Sequence, residues 1–178
     1  MKIRPTSYFL FVVLLVIFEP AHADTNQAAK RLLRVTDIGR KFESMALQQT
    51  RDIIRTYASI VSMSVQVALP AQIKQDIAAC YAEVYAWKNF APGIAQILAE
   101  NLSQKELQLL IDFYGNRSLP PMEIQTFKDI LAKAGQIQQI SADYIFAHST
   151  SCVERDADLI RSYLANRERQ LDPHPVVE

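Results

Sequence analysis

The chain has 178 residues, with 19 basic and 19 acidic side chains and four glycines. Its apolar content of 49% is typical of a globular protein and excludes an intrinsically disordered chain. The balanced charge argues against nucleic-acid binding, because nucleic-acid binders carry a basic excess that displaces counterions from phosphate. The scarcity of glycine and the abundance of Ala, Leu, Gln, Lys and Arg favour helix.

Residues 1–23 are predicted to be a cleavable secretory signal peptide. Lys2 and Arg4 give a positively charged start, and residues 8–18 form an unbroken apolar run. Ala21-His22-Ala23 then has the small–x–small pattern of a signal peptidase site. A membrane span needs roughly twenty apolar residues, so a transmembrane anchor is the less favoured interpretation. We therefore expect a periplasmic or secreted protein without a transmembrane segment in its mature chain.

The mature chain is predicted to fold as a single domain over residues 24–170. No linker, internal repeat or shift in composition marks a second domain, and the length is that of one domain. Its two cysteines, Cys80 and Cys152, predict an intrachain disulfide, since an even count in an exported protein is first interpreted that way. Two buried thiols, or pairing between chains, remain as alternatives. Residues 171–178, with Pro173 and Pro175, are predicted to be a disordered tail.

The predicted fold class is all-α, a compact bundle of about six helices. Apolar residues recur at three- and four-residue steps, and no strand-like alternation is present. Pro92-Gly93 is expected to break the helical pattern that starts at Pro70. Ser103 and Glu106 have the spacing of a capping box. Gly135, inside a long later helix, is expected to let a neighbouring helix approach closely. The predicted helical segments are about 24–34, 37–67, 70–91, 93–101, 103–114, 118–145 and 153–169.

The stretch of residues 101–126, which begins NLSQKELQLLIDFYG, resembles the hallmark segment of a secreted bacterial helical family, domain of unknown function 2059. In that family a capped helix ends in Phe-Tyr, matched here by Phe113-Tyr114, after a Leu-rich approach. Residues 32–45 resemble the family's opening helix–turn–helix. The resemblance implies an exported all-α fold and brings no established activity.

The aromatic side chains are the strongest candidates for a binding surface. Tyr and Trp are enriched at interface hot spots, and such a cluster could also line an apolar groove. At helical spacing the same residues are typical of a core, and this alternative stays open. The candidate residues are Tyr81, Tyr85, Trp87, Phe90, Phe113 and Tyr114.

No set of residues predicts catalysis, a metal site or a cofactor. His148 and Cys152 have the spacing of two ligands on one helical face, but a structural metal site needs four. A Ser-His-Asp triad could be assembled from Ser149 or Ser151, His148 and Asp143. The sequence around these residues lacks the strained turn and the glycine-rich oxyanion loop of a hydrolase. We expect no enzyme, and a hydrolase is the last of the functions considered.

A basic group near the start of the mature chain is a further candidate for contact with anionic lipid or an acidic partner. A solvated helix face is the more common role of such residues. The group consists of Lys30, Arg31, Arg34, Arg40 and Lys41.

These observations favour an exported protein that binds a macromolecular partner. We do not expect nucleic acid to be that partner. One concrete form is an immunity or inhibitor protein against a toxin delivered to the periplasm, an analogy at the level of the fold. The alternative is a carrier of a lipid or other apolar ligand in a pocket between helices, near Trp87 and Tyr114. The sequence is compatible with a homodimer. It does not identify the partner.

Overall fold

The computed structural model describes residues 21–115 and 117–171, without the side chains of residues 21–23 and 171. Within these ranges it contains helices and no strand, which confirms the all-α prediction. The predicted signal peptide up to residue 20 and the predicted tail from residue 172 lie outside the described residues. The elements are α1 (Ala21–Val35), α2 (Ile38–Val65), α3 (Ala71–Val84), α4 (Trp87–Asn101), α5 (Gln104–Tyr114), a 3-10 turn (Pro121–Glu123), α6 (Ile124–His148) and α7 (Val153–Leu171).

None of the helices in the described part of the chain has both the length and the apolar character needed to cross a membrane.

The described residues divide into two compact units. The first unit contains residues 21–36 and 93–140, and the disulfide unit contains residues 37–92 and 141–171. Helices α4 and α6 each contribute residues to both units. The prediction that residues 24–170 form a single domain stays a prediction.

The core of the first unit is built where α1 packs on α5. Ala29 of α1, Ala95 of α4 and Leu107 of α5 are each completely buried there. Small side chains on α1 and α4 leave room for the branched side chains of α5, so burial of apolar surface holds these helices together. Further buried members of this core are Ala28, Leu32, Leu102, Leu109, Ile111 and Ile130.

The core of the disulfide unit lies among α2, α3 and α7. Ile77 is completely buried, and Cys80 and Cys152 are 8% and 2% exposed. The two cysteines form a disulfide with their Cα atoms 6.1 Å apart, which confirms the predicted pairing. The bond joins α3 to the residue just before α7, so it fixes the start of the last helix on the core. The other buried members are Val61, Leu69, Ile73 and Tyr81.

The predicted break at Pro92-Gly93 is wrong, because α4 runs through Pro92 and begins at Trp87. A proline in the second turn of a helix removes one backbone hydrogen bond, and α4 tolerates that loss. The chain instead turns at Tyr85-Ala86. The amide of Trp87 donates to the carboxylate of Glu43 on α2, at 2.9 Å. The side-chain amide of Asn89 donates to the last carbonyl groups of α3.

The expectation for Gly135 is also wrong. A Cβ atom built at Gly135 meets no other group within 4 Å, so no neighbouring element approaches α6 closely there. The close approach occurs at Gly39 of α2, where a Cβ atom would lie 2.5 Å from the indole of Trp87.

Candidate functional site

The candidate aromatic residues of α3, of α4 and of the turn between them form a continuous set of ring contacts in the disulfide unit. The rings of Tyr81 and Tyr85 stack with their centroids 6.4 Å apart, and Tyr85 and Phe90 stack at 6.3 Å. Phe42 of α2 extends the set, with its centroid 5.4 Å from Phe90 and 5.5 Å from Trp87. Tyr81 and Phe90 are 7% and 0% exposed, so these two side chains belong to the core.

Trp87 is held by three residues of α2 at helical spacing. The indole lies over Gly39, its ring contacts Phe42, and its backbone amide donates to Glu43. Residues at positions i, i+3 and i+4 share one helix face, which explains why one tryptophan meets all three. The arrangement makes Trp87 a packing anchor for α2 and α4, with its side chain half-buried. The sequence contained this i, i+3, i+4 pattern but nothing that named its partner.

The candidate residues Phe113 and Tyr114 lie on the surface of the first unit. We use the name aromatic turn surface for these two residues and for Met122 and Ile124, which lie at the end of α5, in the 3-10 turn and at the start of α6. These four side chains are 40%, 52%, 88% and 44% exposed. The ring of Phe113 contacts that of Tyr114 at 5.4 Å and that of Phe127 at 4.9 Å. Exposed apolar side chains grouped in this way are typical of an interaction site.

The turn that carries this surface is fixed by hydrogen bonds at its α5 end. The carboxylate of Asp112 accepts from the side-chain amide of Gln108 at 3.1 Å and from the guanidinium of Arg117 at 3.1 Å. The backbone amide of Arg117 also donates to the carbonyl of Asp112, at 3.0 Å. Pro120 and Pro121 restrict the backbone further along the turn. A surface held in this way loses less conformational entropy on binding than a free loop does.

Two acidic side chains are buried in the described part of the chain, one in each unit. In the first unit, Glu106 is 8% exposed and completes the predicted capping box with Ser103, which is thereby confirmed. One carboxylate oxygen accepts from the backbone amide of Ser103 at 2.8 Å, and the other accepts from Lys133 of α6 at 2.7 Å. Burial by itself raises the pKa of Glu106, but the hydrogen bonds from Lys133 and Ser103 outweigh it, so the pKa is lowered.

In the disulfide unit, Asp156 is completely buried, and neither carboxylate oxygen has a hydrogen-bond partner of ordinary geometry. The hydroxyl groups of Tyr57 on α2 and Tyr81 on α3 face this carboxyl group. Burial raises the pKa of Asp156, and the two hydroxyl groups offset this effect only partly. The sequence analysis missed Asp156, although its position four residues after Cys152 places it on the buried side of α7.

A small cleft lies between α2 and α3 in the disulfide unit. Its volume is about 250 Å³, and it is lined by Glu43 and by mostly small apolar residues. Pockets for drug-sized ligands usually have about 300–1,000 Å³. Neither Trp87 nor Tyr114, the residues expected near a carrier pocket, lines this cleft. The other lining residues are Ala46, Leu47, Thr50, Ala78, Tyr81, Ala82, Tyr85 and Ala86.

The residues considered for catalysis or metal binding have local partners. The Nδ1 atom of His148 lies 2.8 Å from the carbonyl of Tyr144, and the hydroxyl of Ser149 donates to the carbonyl of Ile145. Cys152 is committed to the disulfide. Among the described residues, no group of three or more His, Cys, Asp or Glu side chains is placed to hold a metal ion.

The predicted basic group is divided between the two units. Three of its members lie on α1 in the first unit and two on α2 in the disulfide unit. All five side chains are exposed, and the guanidinium of Arg40 pairs with Asp37 at 2.6 Å.

No family model, curated protein or solved structure matches the chain, so the resemblance to domain of unknown function 2059 stays a prediction.

Proposed function

We propose that the chain is an exported helical protein that binds a protein partner through the aromatic turn surface of its first unit. The observation that carries the proposal is the exposure of four large apolar side chains between residues 113 and 124, up to 88% at Met122. Aromatic residues and Met are enriched at the centres of protein–protein interfaces, and Tyr is a frequent hot-spot residue.

The local structure supports a binding role for this turn. Asp112 and Arg117 hold the backbone after α5, and the contact with Phe127 holds the ring of Phe113. The partner would therefore meet side chains that are already positioned, which lowers the entropic cost of binding. Tyr114 combines a flat apolar face with a hydroxyl group that can bond to the partner at the interface rim.

Export is supported by two independent features. Residues 1–23 have the three parts of a signal peptide. The Cys80–Cys152 disulfide suits an oxidising compartment such as the periplasm, since cytosolic thiols are kept reduced. An inhibitor or immunity protein for a toxin delivered to that compartment is one concrete form of this proposal.

The experiment places a photo-crosslinking amino acid at Met122 in the chain with its disulfide formed. A matched probe at Met63, which is 76% exposed in the disulfide unit, is the control. Both proteins are irradiated in periplasmic extracts, and the crosslinked products are identified by mass spectrometry. We expect one protein to be crosslinked from Met122 and not from Met63.

The identified protein is then titrated with purified variants. Tyr114→Asp with Met122→Asp should weaken its binding by at least about tenfold, because charge is placed in an apolar contact. Met63→Asp should leave the affinity unchanged. Equal affinity for both variants, or no crosslink that depends on Met122, would contradict the proposal.

The carrier alternative has no comparable support. The cleft between α2 and α3 has a volume of about 250 Å³, which is below the usual range for ligand pockets. Co-purification of a lipid with the chain would nevertheless favour that function over the one proposed here.

A further inference from the structure

Asp156 is a buried carboxyl group that forms no ion pair among the described residues, a state that folding does not favour for an ionised acid. Its exposure is 0%, and both of its oxygens lack a hydrogen-bond partner of ordinary geometry. Removing an ionised carboxylate from water without pairing it is very costly, so such a group is kept as the neutral acid. The neutral form requires a proton, and the burial of Asp156 is therefore linked to pH.

The position of Asp156 links this proton to the disulfide. Cys152 lies directly before α7, and the backbone amide of Asp156 donates to its carbonyl group at 2.9 Å. The carboxyl group and the sulfur of Cys152 therefore belong to the same first turn of α7. Cys152 is only 2% exposed, so the closed turn shields its sulfur from reductants.

Charged and titratable groups from three helices face the carboxyl group. Tyr57 of α2 and Tyr81 of α3 present hydroxyl groups to it, and Arg155 of α7 acts on it through its charge. Burial and the nearby carboxyl group raise the pKa values of both tyrosines, so they stay neutral at physiological pH. A surface recess of about 330 Å³ is lined by the same two tyrosines and by Val153. Val153 is the first residue of α7, so this solvent-facing recess reaches the start of that helix.

We propose that Asp156 is a proton-controlled latch on the Cys80–Cys152 disulfide. As the neutral acid it keeps the first turn of α7 buried against Tyr57 and Tyr81 and shields the disulfide. When Asp156 ionises, the carboxylate requires water, the turn opens toward the recess, and the disulfide becomes accessible to reductants.

The direction of the pH effect follows from the raised pKa. Between the ordinary pKa of an aspartate and the raised pKa, the closed turn binds a proton that the opened turn releases. The closed form is therefore most stable below the ordinary value. It loses stability as the pH rises through the window up to the raised value, and above that value no further loss occurs.

The test measures the rate at which tris(2-carboxyethyl)phosphine reduces the disulfide in the native chain between pH 4 and 8. Trapping of the two released thiols gives the rate, and Asp156→Asn is compared with the unaltered chain at each pH. Asparagine has the shape of the neutral acid and cannot ionise, and comparison at equal pH removes the reductant's own pH dependence.

We expect the two proteins to be reduced at similar rates at pH 4. At higher pH the unaltered chain should be reduced faster, by about tenfold for each pH unit between the ordinary and the raised pKa. Asp158→Asn is the control, because Asp158 is 69% exposed on the same helix. Its rates should follow those of the unaltered chain at every pH.

A second variant keeps the test decisive if Asp156→Asn does not fold. Tyr57→Phe removes one hydroxyl group that lowers the pKa of Asp156, so it should move the midpoint of the reduction profile to higher pH. The carboxyl ¹³C resonance of Asp156 in the unaltered chain gives the titration directly. A midpoint at or below the ordinary value of 3.8, or a rate ratio that does not change with pH, overturns the proposal.

Discussion

Glu106 and Asp156 are both buried acids close to the start of a helix, yet the two units accommodate them in opposite ways. Glu106 accepts hydrogen bonds from Ser103 and Lys133, and its pKa is lowered. Asp156 accepts none of ordinary geometry, and its pKa is raised. Burial opposes ionisation in both cases, so the partners supplied by neighbouring elements decide the direction in which each pKa is shifted. The first unit is therefore held in part by an ion pair, and the disulfide unit by a covalent bond beside a buried acid whose pKa is raised.

The largest expected effect comes from removing the disulfide. Cys80→Ala with Cys152→Ala should destabilise the disulfide unit by about 4 kcal/mol, since the bond closes a loop of about 72 residues in the unfolded chain. The chain has one tryptophan, Trp87, which lies in this unit. Urea titration followed by Trp87 fluorescence measures the loss. If hydrogen exchange shows the same loss of stability throughout the first unit, the disulfide does not stabilise its own unit selectively.

The contact between Gly39 and Trp87 should have the next largest effect. Gly39→Ala places a Cβ atom 2.5 Å from the indole, and we expect the resulting displacement to cost about 2 kcal/mol. The same fluorescence titration measures it. Gly135→Ala is the matched control, since nothing lies within 4 Å of its Cβ position. Gly135 lies in the first unit, so the effect of that variant is measured by amide hydrogen exchange in α6. The variant should be stabilised by up to about 1 kcal/mol, because alanine is the better helix former. Equal effects at both positions would contradict the packing described here.

Removing the partner of Glu106 should make the first unit resemble the disulfide unit. Lys133→Met should cost about 1 kcal/mol, a value below that of a fully buried pair because the Lys133 side chain is 43% exposed. Amide hydrogen exchange in α1 and α5 measures the effect. Lys128→Met, at an exposed position on the same helix, should change little. The loss should also diminish at low pH, where Glu106 is protonated in both variants, and a pH-independent loss would exclude the ion pair as its cause.

The smallest expected effect is the pair of pKa shifts of the two carboxyl groups. Their titration tests the difference between the two units most directly. In one series of ¹³C spectra, Glu106 should titrate below its ordinary value of 4.5 and Asp156 above its ordinary value of 3.8. Because the pKa of Glu106 is lowered, this residue stabilises the folded chain at pH values above its ordinary pKa. This stabilisation is lost as the pH falls. The raised pKa of Asp156 adds stability at low pH that is lost as the pH rises. Shifts in the same direction would remove the distinction between the units.

The sequence by itself determined the features that depend on nearby residues. Helical periodicity predicted an all-α chain, and the spacing of Ser103 and Glu106 predicted a capping box, because each signal acts within a few residues. Cys80 and Cys152 are the only cysteines in the chain, so the sequence allowed one intrachain pairing, and the structure decided between it and the alternatives.

Tertiary structure decided the features that depend on distant residues. The break expected at Pro92 moved to Tyr85-Ala86, where Glu43 of another helix accepts from the amide of Trp87. Gly39 permits the close approach that was expected at Gly135. Tyr81 is in the core and Tyr114 is on the surface, although the sequence placed both in one candidate set. The direction of the pKa shift of Asp156 was decided in the same way, because a carboxyl group's burial and partners depend on which helices pack around it.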